Sequence, residues 1–391
     1  MVSDRAIQIE LEPSVLRWAR ERSRLDPEEL ARKIPVKADR VRAWEETGRI
    51  SLAQIGKLAA RTHTPEGFLF LAAPPEDRLE IPDLRTVGDQ PIRPSPNLLD
   101  TVHAMQRRQA WMREDSVEQG ADPLPFVGSA SSSDAADDVS ASMREVLDLA
   151  AGWADEVPSW VDALRLFQRK IDEAGVMVVS NGVVGNNTRR ALDPGEFRGF
   201  SLVDEYAPLV FVNSADFKSA QMFTLAHELA HVWLDASGVS NPDLGDLDAP
   251  RPEVEQRCNE IAAEFLIPAD ELAAFWEEVS GEPDRFEQVA RRFKTSRIVA
   301  ARRALDTELI TRPEFFDFWE EYQADERRSA QTGGGGGNFW NTQGVRLGRR
   351  FSHAVVHAVQ EGRLLYQDAY ALTDLRGPTF DSLVERVREN V

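Results

Sequence analysis

From Phe217 to Leu234 the chain reads FKSAQMFTLAHELAHVWL, eighteen residues without proline or glycine and apolar on most of the surface a helix would present. Such a run can fold as a helix surrounded by other elements and as little else. Within it His227 and His231 are four residues apart, so their imidazoles stack on one helix face and can share a metal ion. Glu228 follows the first histidine. It sits close enough to reach a water at that ion without being a ligand itself, the place of a general base.

Two histidines do not complete a site, and the segment PEVEQRCNEIAAEFLIP supplies a third donor. At helical spacing Glu255 and Asn259 share a stripe with Cys258, Ala262 and Leu266, while Glu253, Arg257, Glu260 and Glu264 gather on the other side. Glu255 is therefore a carboxylate turned inward, which is costly unless a positive charge pairs with it. A zinc ion, one per chain, supplies that charge. A metzincin would carry glycine at 234 and histidine at 237, but the chain has Leu234 and Ser237. A His227, His231, Glu255 set remains, and three protein ligands with one open position is the arrangement of a catalytic zinc.

The 391 residues exceed one ordinary core and suggest several domains. We read 1–75 as a helical module, 76–155 as a connector with helical and flexible segments, 156–312 as the catalytic domain and 313–391 as a C-terminal helical domain. Residues 129–142, small and polar, read as a loop or linker, and glycines 333–337 as a hinge. The N-terminal module opens a helix at Asp26, with Pro27 and two acids behind it. Its segment PEELARKIPVKADRVRAWEETG resembles an XRE-type helix-turn-helix, which implies Lys37, Arg40 and Arg42 as nucleic-acid contacts. Pro35 stands where such turns carry glycine, and Asp39 places a carboxylate toward the phosphates, so a protein-docking role stays open.

A formal charge of −20 argues against a protein that coats nucleic acid, yet the first 72 residues hold 13 Lys or Arg against 11 Asp or Glu, which leaves a local DNA contact open. One cysteine, Cys258, excludes an intrachain disulfide. The start lacks a signal-peptide pattern, and no apolar run approaches the roughly 20 residues of a membrane span. The expected compartment is the cytoplasm, with no membrane partner.

Before the metal helix, WVDALRLFQRKIDEAG reads as an amphipathic helix, and VMVVS, FRGFSLV and LVFVN as short strands. LVFVN is either an edge to which a substrate segment adds or an interior strand. The run FRGFSLVDEYAPLVFVNSADFKSAQMFTLAHELAHVWLD with EQRCNEIAAEFLIP resembles the ImmA/IrrE family of zinc peptidases over most of residues 160–310, and an N-terminal helix-turn-helix followed by IPDLRT also occurs there. The resemblance implies a fold that is mainly α with a small mixed sheet: a thermolysin-like HExxH…E α/β peptidase domain between an N-terminal helix-turn-helix and a C-terminal helical domain. It also implies Glu255 as third ligand and a protein substrate, a transcriptional repressor or antitoxin-like partner whose cleavage controls phage, mobile-element or stress-response genes. The competing readings are a DNA-binding regulator or antitoxin with a non-catalytic zinc site, and a zinc hydrolase acting on another bond.

Other residues rank lower. Tyr206 and His103 are candidates for stabilising an oxyanion, and Cys258 is expected simply to pack. His353 and His357 repeat the four-residue spacing without a glutamate and read as exposed helix positions. QVARRFKTSRIVAARRALDTELI looks like a second helix-turn-helix whose arginines pack on the catalytic domain.

Overall fold

In a computed structural model of the chain, residues 7–85, 93–150, 152–242, 245, 247, 251–329 and 344–389 are described, so the glycines 333–337 lie outside the described residues. The chain divides into two compact units, Met1–Glu80 with Gln90–Val102, and Ile81–Asp89 with His103–Val391.

The first unit begins with β1 (Gln8–Glu10), α1 (Pro13–Arg22), α2 (Pro27–Lys33), α3 (Ala38–Thr47), β2 (Arg49–Ser51) and α4 (Leu52–Thr62). The Asp26 carboxylate accepts from the Glu29 N–H and Glu29 returns the bond to the Asp26 N–H, a reciprocal cap that starts α2 where the sequence places it. β1 and β2 pair antiparallel. Val15, Leu16, Leu30, Val41, Trp44, Ile55 and Leu58 form the core, the inward stripes of the four helices. Arg20 grips the buried Glu45 through Nε at 2.6 Å and Nη2 at 3.0 Å. Between α2 and α3, Pro35 takes φ +32°, far from the roughly −65° its ring prefers, so the turn is strained where a glycine would not be. Lys37 at the cap of α3, with Arg40 and Arg42 on it, are exposed, and Arg42 is paired with Asp39 and Glu28.

Helix α5 (Pro96–Glu118) clusters with the first unit as far as Val102 and with the second beyond it. Next come α6 (Ala136–Val146), α7 (Trp160–Glu173), β3 (Met177–Asn181), the hairpin β4 (Val183–Val184) and β5 (Asn187–Ala191), β6 (Gly199–Leu202), β7 (Leu209–Asn213), α8 (Lys218–Trp233) and β8 (Gly238–Ser240). Then follow α9 (Glu253–Leu266), α10 (Ala269–Val279), α11 (Arg285–Phe293), α12 (Arg297–Asp306) and α13 (Arg312–Ser329), and last α14 (Arg349–Gln360), α15 (Tyr366–Thr373) and α16 (Pro378–Glu389). The protein is mostly helical with small mixed sheets. Residues 136–146, largely expected as loop, are helical instead, because Val139 and Met143 stand four apart and bury one stripe of α6 in the core.

The central sheet runs β3-β7-β6-β8, with β3 parallel to β7 and the other pairs antiparallel. Each residue of β3, β6 and β7 is buried, as continuous apolar runs covered on both faces should be. LVFVN is thus an interior strand, and the edge reading does not hold. The outer side of β8 is covered too: the Val239 N–H donates to the Pro82 carbonyl and the Leu84 N–H to the Val239 carbonyl, so residues 82–84 add as a short extra strand. Arg85 anchors that segment, its buried guanidinium paired with Asp83 and with Glu196 at 3.5 Å. On the opposite edge α14 packs against β3 and α7.

Candidate active site

α8 is capped at Phe217, and Asn213, four residues earlier, takes no part in the cap. The Asn213 side chain instead ends β7, with Oδ1 accepting from the Ala215 N–H and Nδ2 donating to the Phe197 carbonyl. From Gln221 to Trp233 the helix is buried all round, against β6, β7, α7 and α9. Ala226, Ala230, Ala262 and Ala263 are buried where α8 and α9 pack, small enough for the two axes to come close.

That closeness brings three donor atoms together. His227 Nε2 lies 3.2 Å from His231 Nε2 and 3.3 Å from Glu255 Oε2, and His231 Nε2 lies 3.0 Å from Glu255 Oε1. A tetrahedral zinc site with bonds of about 2.0–2.1 Å has donor–donor edges of about 3.3 Å, so the triangle has the size the ion requires. Glu255 Oε1 is buried and has no hydrogen-bond partner despite its short approach to His231. The atoms converge on a shared centre rather than on one another, and the residues fit a metal. Only these three His, Cys, Asp or Glu side chains gather in this way among the described residues, so a tetrahedral ion held there would have a fourth position without a protein ligand.

The surroundings set the state of each ligand. Asn259 Oδ1 lies 3.0 Å from His227 Nδ1 and accepts its proton, leaving the Nε2 lone pair facing the centre. Burial works against the charge on Glu255, but the two imidazoles outweigh it and hold the carboxyl down at about 2. For His227 burial opposes protonation, and Glu255 overrides it and raises the imidazole.

Glu228 points to the sheet side. Its carboxylate accepts from Ser201 Oγ at 2.7 Å and from Ser240 Oγ, and burial raises its pKa against the pull of both histidines and both hydroxyls. The strand register pairs Gly199 with Ser240, with Ser201 two residues on along the same face of β6. A methyl at Gly199 would stand 2.5 Å from Glu228 Oε1, so only glycine leaves room for the carboxylate. Sequence reasoning missed Gly199, Ser201 and Ser240. The available signal was the small and polar alternation in GFSL, an otherwise apolar strand.

The remaining candidates separate. Glu253 and Glu260 are exposed, whereas Glu264, expected among the solvated charges, is half-buried and pairs with Arg303, which also donates to the Ile267 carbonyl. α11 and α12 pack on the same core, with Arg292 over Phe275 and Arg302 on Asp306. Tyr206 lies under the Arg113 guanidinium, and neither it nor His103 bonds to the cluster. Cys258 is buried, its thiol pushed well up by burial. His357 is exposed, but His353 is half-buried.

Fold and site together define a buried helix pair carrying a cluster of two histidines and a glutamate that could hold one metal ion. Residues 171–305 match the Peptidase M78 family model, described as an IrrE N-terminal-like domain, which supports the ImmA/IrrE family and a metallopeptidase of that type. Residues 347–386 match a model described as a domain of unknown function. No curated protein matches the chain. Among the described residues no helix is long and apolar enough to cross a membrane.

Proposed function

We propose that the chain is a zinc-dependent endopeptidase of the HExxH…E type with a regulatory role in the cytoplasm. The observation that carries the reading is the convergence of His227, His231 and Glu255 within 3.0–3.3 Å, with Glu228 beside them in a cradle of two hydroxyls. Those three residues would hold the ion. Bound there, zinc supplies Lewis acidity, which brings the ionisation of water into the neutral range. Glu228 takes the proton of the attacking water and returns it to the leaving amine, a task suited to a carboxyl whose pKa burial has raised. Ser201 and Ser240 orient that carboxylate. The substrate we propose is a repressor or antitoxin-like regulator, recruited with or without DNA through an N-terminal helix-turn-helix.

Replacing His227, His231 or Glu255 by Ala should remove stoichiometric zinc and cleavage together. Glu228→Gln should keep zinc while turnover falls by about two to four orders of magnitude, and it provides the trap for capturing the substrate. Glu253→Gln and Glu260→Gln, on exposed positions of α9, should change neither. Full zinc and activity in Glu255→Ala, with loss in Glu253→Ala or Glu260→Ala, would refute the ligand set.

A second reading, a DNA-binding regulator or antitoxin with a non-catalytic metal, draws on the exposed Lys37 and Arg40 at the start of α3. It requires operator binding without cleavage. Under either reading, if the N-terminal unit contacts DNA, Arg40→Ala should weaken binding by about 1–3 kcal/mol and reduce its salt dependence. An unchanged titration would leave protein docking as the role of that unit.

A further inference from the structure

We propose that a cleft walled by α7, β3, α14 and α16, remote in sequence from the metal ligands, binds a nucleotide with its phosphates at an arginine rim and its base turned inward. The cleft has a volume of about 470 Å³, within the roughly 300–1,000 Å³ of small-molecule sites. In a chain of charge −20, four arginines border it, Arg165, Arg169, Arg349 and Arg386, against one acid, Asp172.

Arg165 and Arg169 are one turn apart on α7. Their acidic neighbours Asp162 and Glu173 lie at 3.6 and 3.7 Å on exposed surface, pairings weak enough for a phosphate to displace. Local positive potential is also felt by His353, whose imidazole is pushed down by burial and by Arg349 and His357.

The interior is different in kind. Val178, Leu383 and Val387 line an apolar wall that suits a flat ring. One carboxylate oxygen of Asp172 accepts from the Arg350 N–H at 2.9 Å, while Oδ1 is buried with no partner. A buried acceptor left unpaired is unfavourable, and an N–H on a base edge would satisfy it. Gly348 lets the start of α14 lie close against β3 at the cleft wall: a Cβ there would stand 2.8 Å from the Val178 carbonyl. The walls come from both matched regions, since Asp172 and Val178 lie within 171–305 and Arg349 and Leu383 within 347–386. β3 pairs with β7, which leads into α8, so a ligand here bears on the sheet that supports the metal helix.

The proposal does not depend on peptidase activity and is tested by direct binding to the full chain. ATP, GTP, inorganic tripolyphosphate and a short single-stranded oligonucleotide are titrated calorimetrically, with circular dichroism and zinc content recorded for each variant. At least one mononucleotide should bind with Kd of about 100 μM or tighter. The Arg169→Ala/Arg349→Ala double variant should weaken it tenfold or more. Asp172→Asn should weaken the nucleotide several-fold and leave tripolyphosphate unchanged. Three results would overturn the assignment: no mononucleotide binding better than tripolyphosphate, affinity surviving the arginine pair, or an oligonucleotide that binds more tightly than any mononucleotide.

Discussion

A single missing methyl decides where the proposed general base can sit. Gly199→Ala would press a Cβ to 2.5 Å from Glu228 Oε1, so the carboxylate must move although no ligand is touched. We expect zinc to stay bound while turnover falls about a hundredfold, since displacement of a reacting group by about 1 Å costs that much. Metal content measured beside cleavage separates this outcome from a fold defect. At Asp172 the residue-scale effect is on stability. Burial lifts its carboxyl to about 6, above its ordinary 3.8. The group therefore favours folding below about pH 4 and loses that contribution as pH rises through 6. Asp172→Asn should stabilise the protein by about 1–2 kcal/mol at pH 8 and by almost nothing at pH 4, read from denaturant midpoints at the two pH values. Equal shifts at both would remove the titration from the account.

At the scale of elements, legibility followed the range of the interaction. α8 was readable because its histidines lie on one face of one helix, and the inward position of Glu255 on α9 because helical spacing alone separates it from Glu253 and Glu260. The serine cradle was not, because Ser201 and Ser240 meet only through the register of β6 on β8, and residues 39 apart carry no local periodicity linking them. The interior place of β7 was undecided for the same reason. An apolar strand looks alike whether its neighbours come before or after it in the chain. Residues 82–84 were read as connector because a proline-rich segment offers few backbone donors, yet one donor and one acceptor suffice to join β8. Arg85 carries that attachment. Arg85→Ala would remove a buried guanidinium from its pairs with Asp83 and Glu196, and we expect a loss of about 3 kcal/mol or more, measured by urea unfolding. A loss under about 0.5 kcal/mol would mean the segment is held by its backbone alone.

At the scale of the molecule, the chain passes between its two units more than once, since Ile81–Asp89 clusters with the second unit while the residues on either side cluster with the first. A chain of residues 76–391 keeps the strand at 82–84 and should retain zinc and unfold cooperatively. One of residues 93–391 loses it and should unfold at lower denaturant; identical midpoints would show that the extra strand contributes nothing. The burial of the centre has a kinetic consequence. His227, Glu228 and His231 have no exposed surface and Glu255 only 3 %, so under the proposed function whatever reaches a metal held by them must wait for the protein to open. The observed rate is then the intrinsic rate multiplied by the open fraction, and an open state of about one part in a hundred lowers the apparent affinity for substrate a hundredfold. The same gate stands before a chelator. Metal loss from the zinc-loaded protein should level off as chelator concentration rises, at a plateau equal to the opening rate, and a partner that speeds cleavage by accelerating that opening should raise the plateau by the same factor.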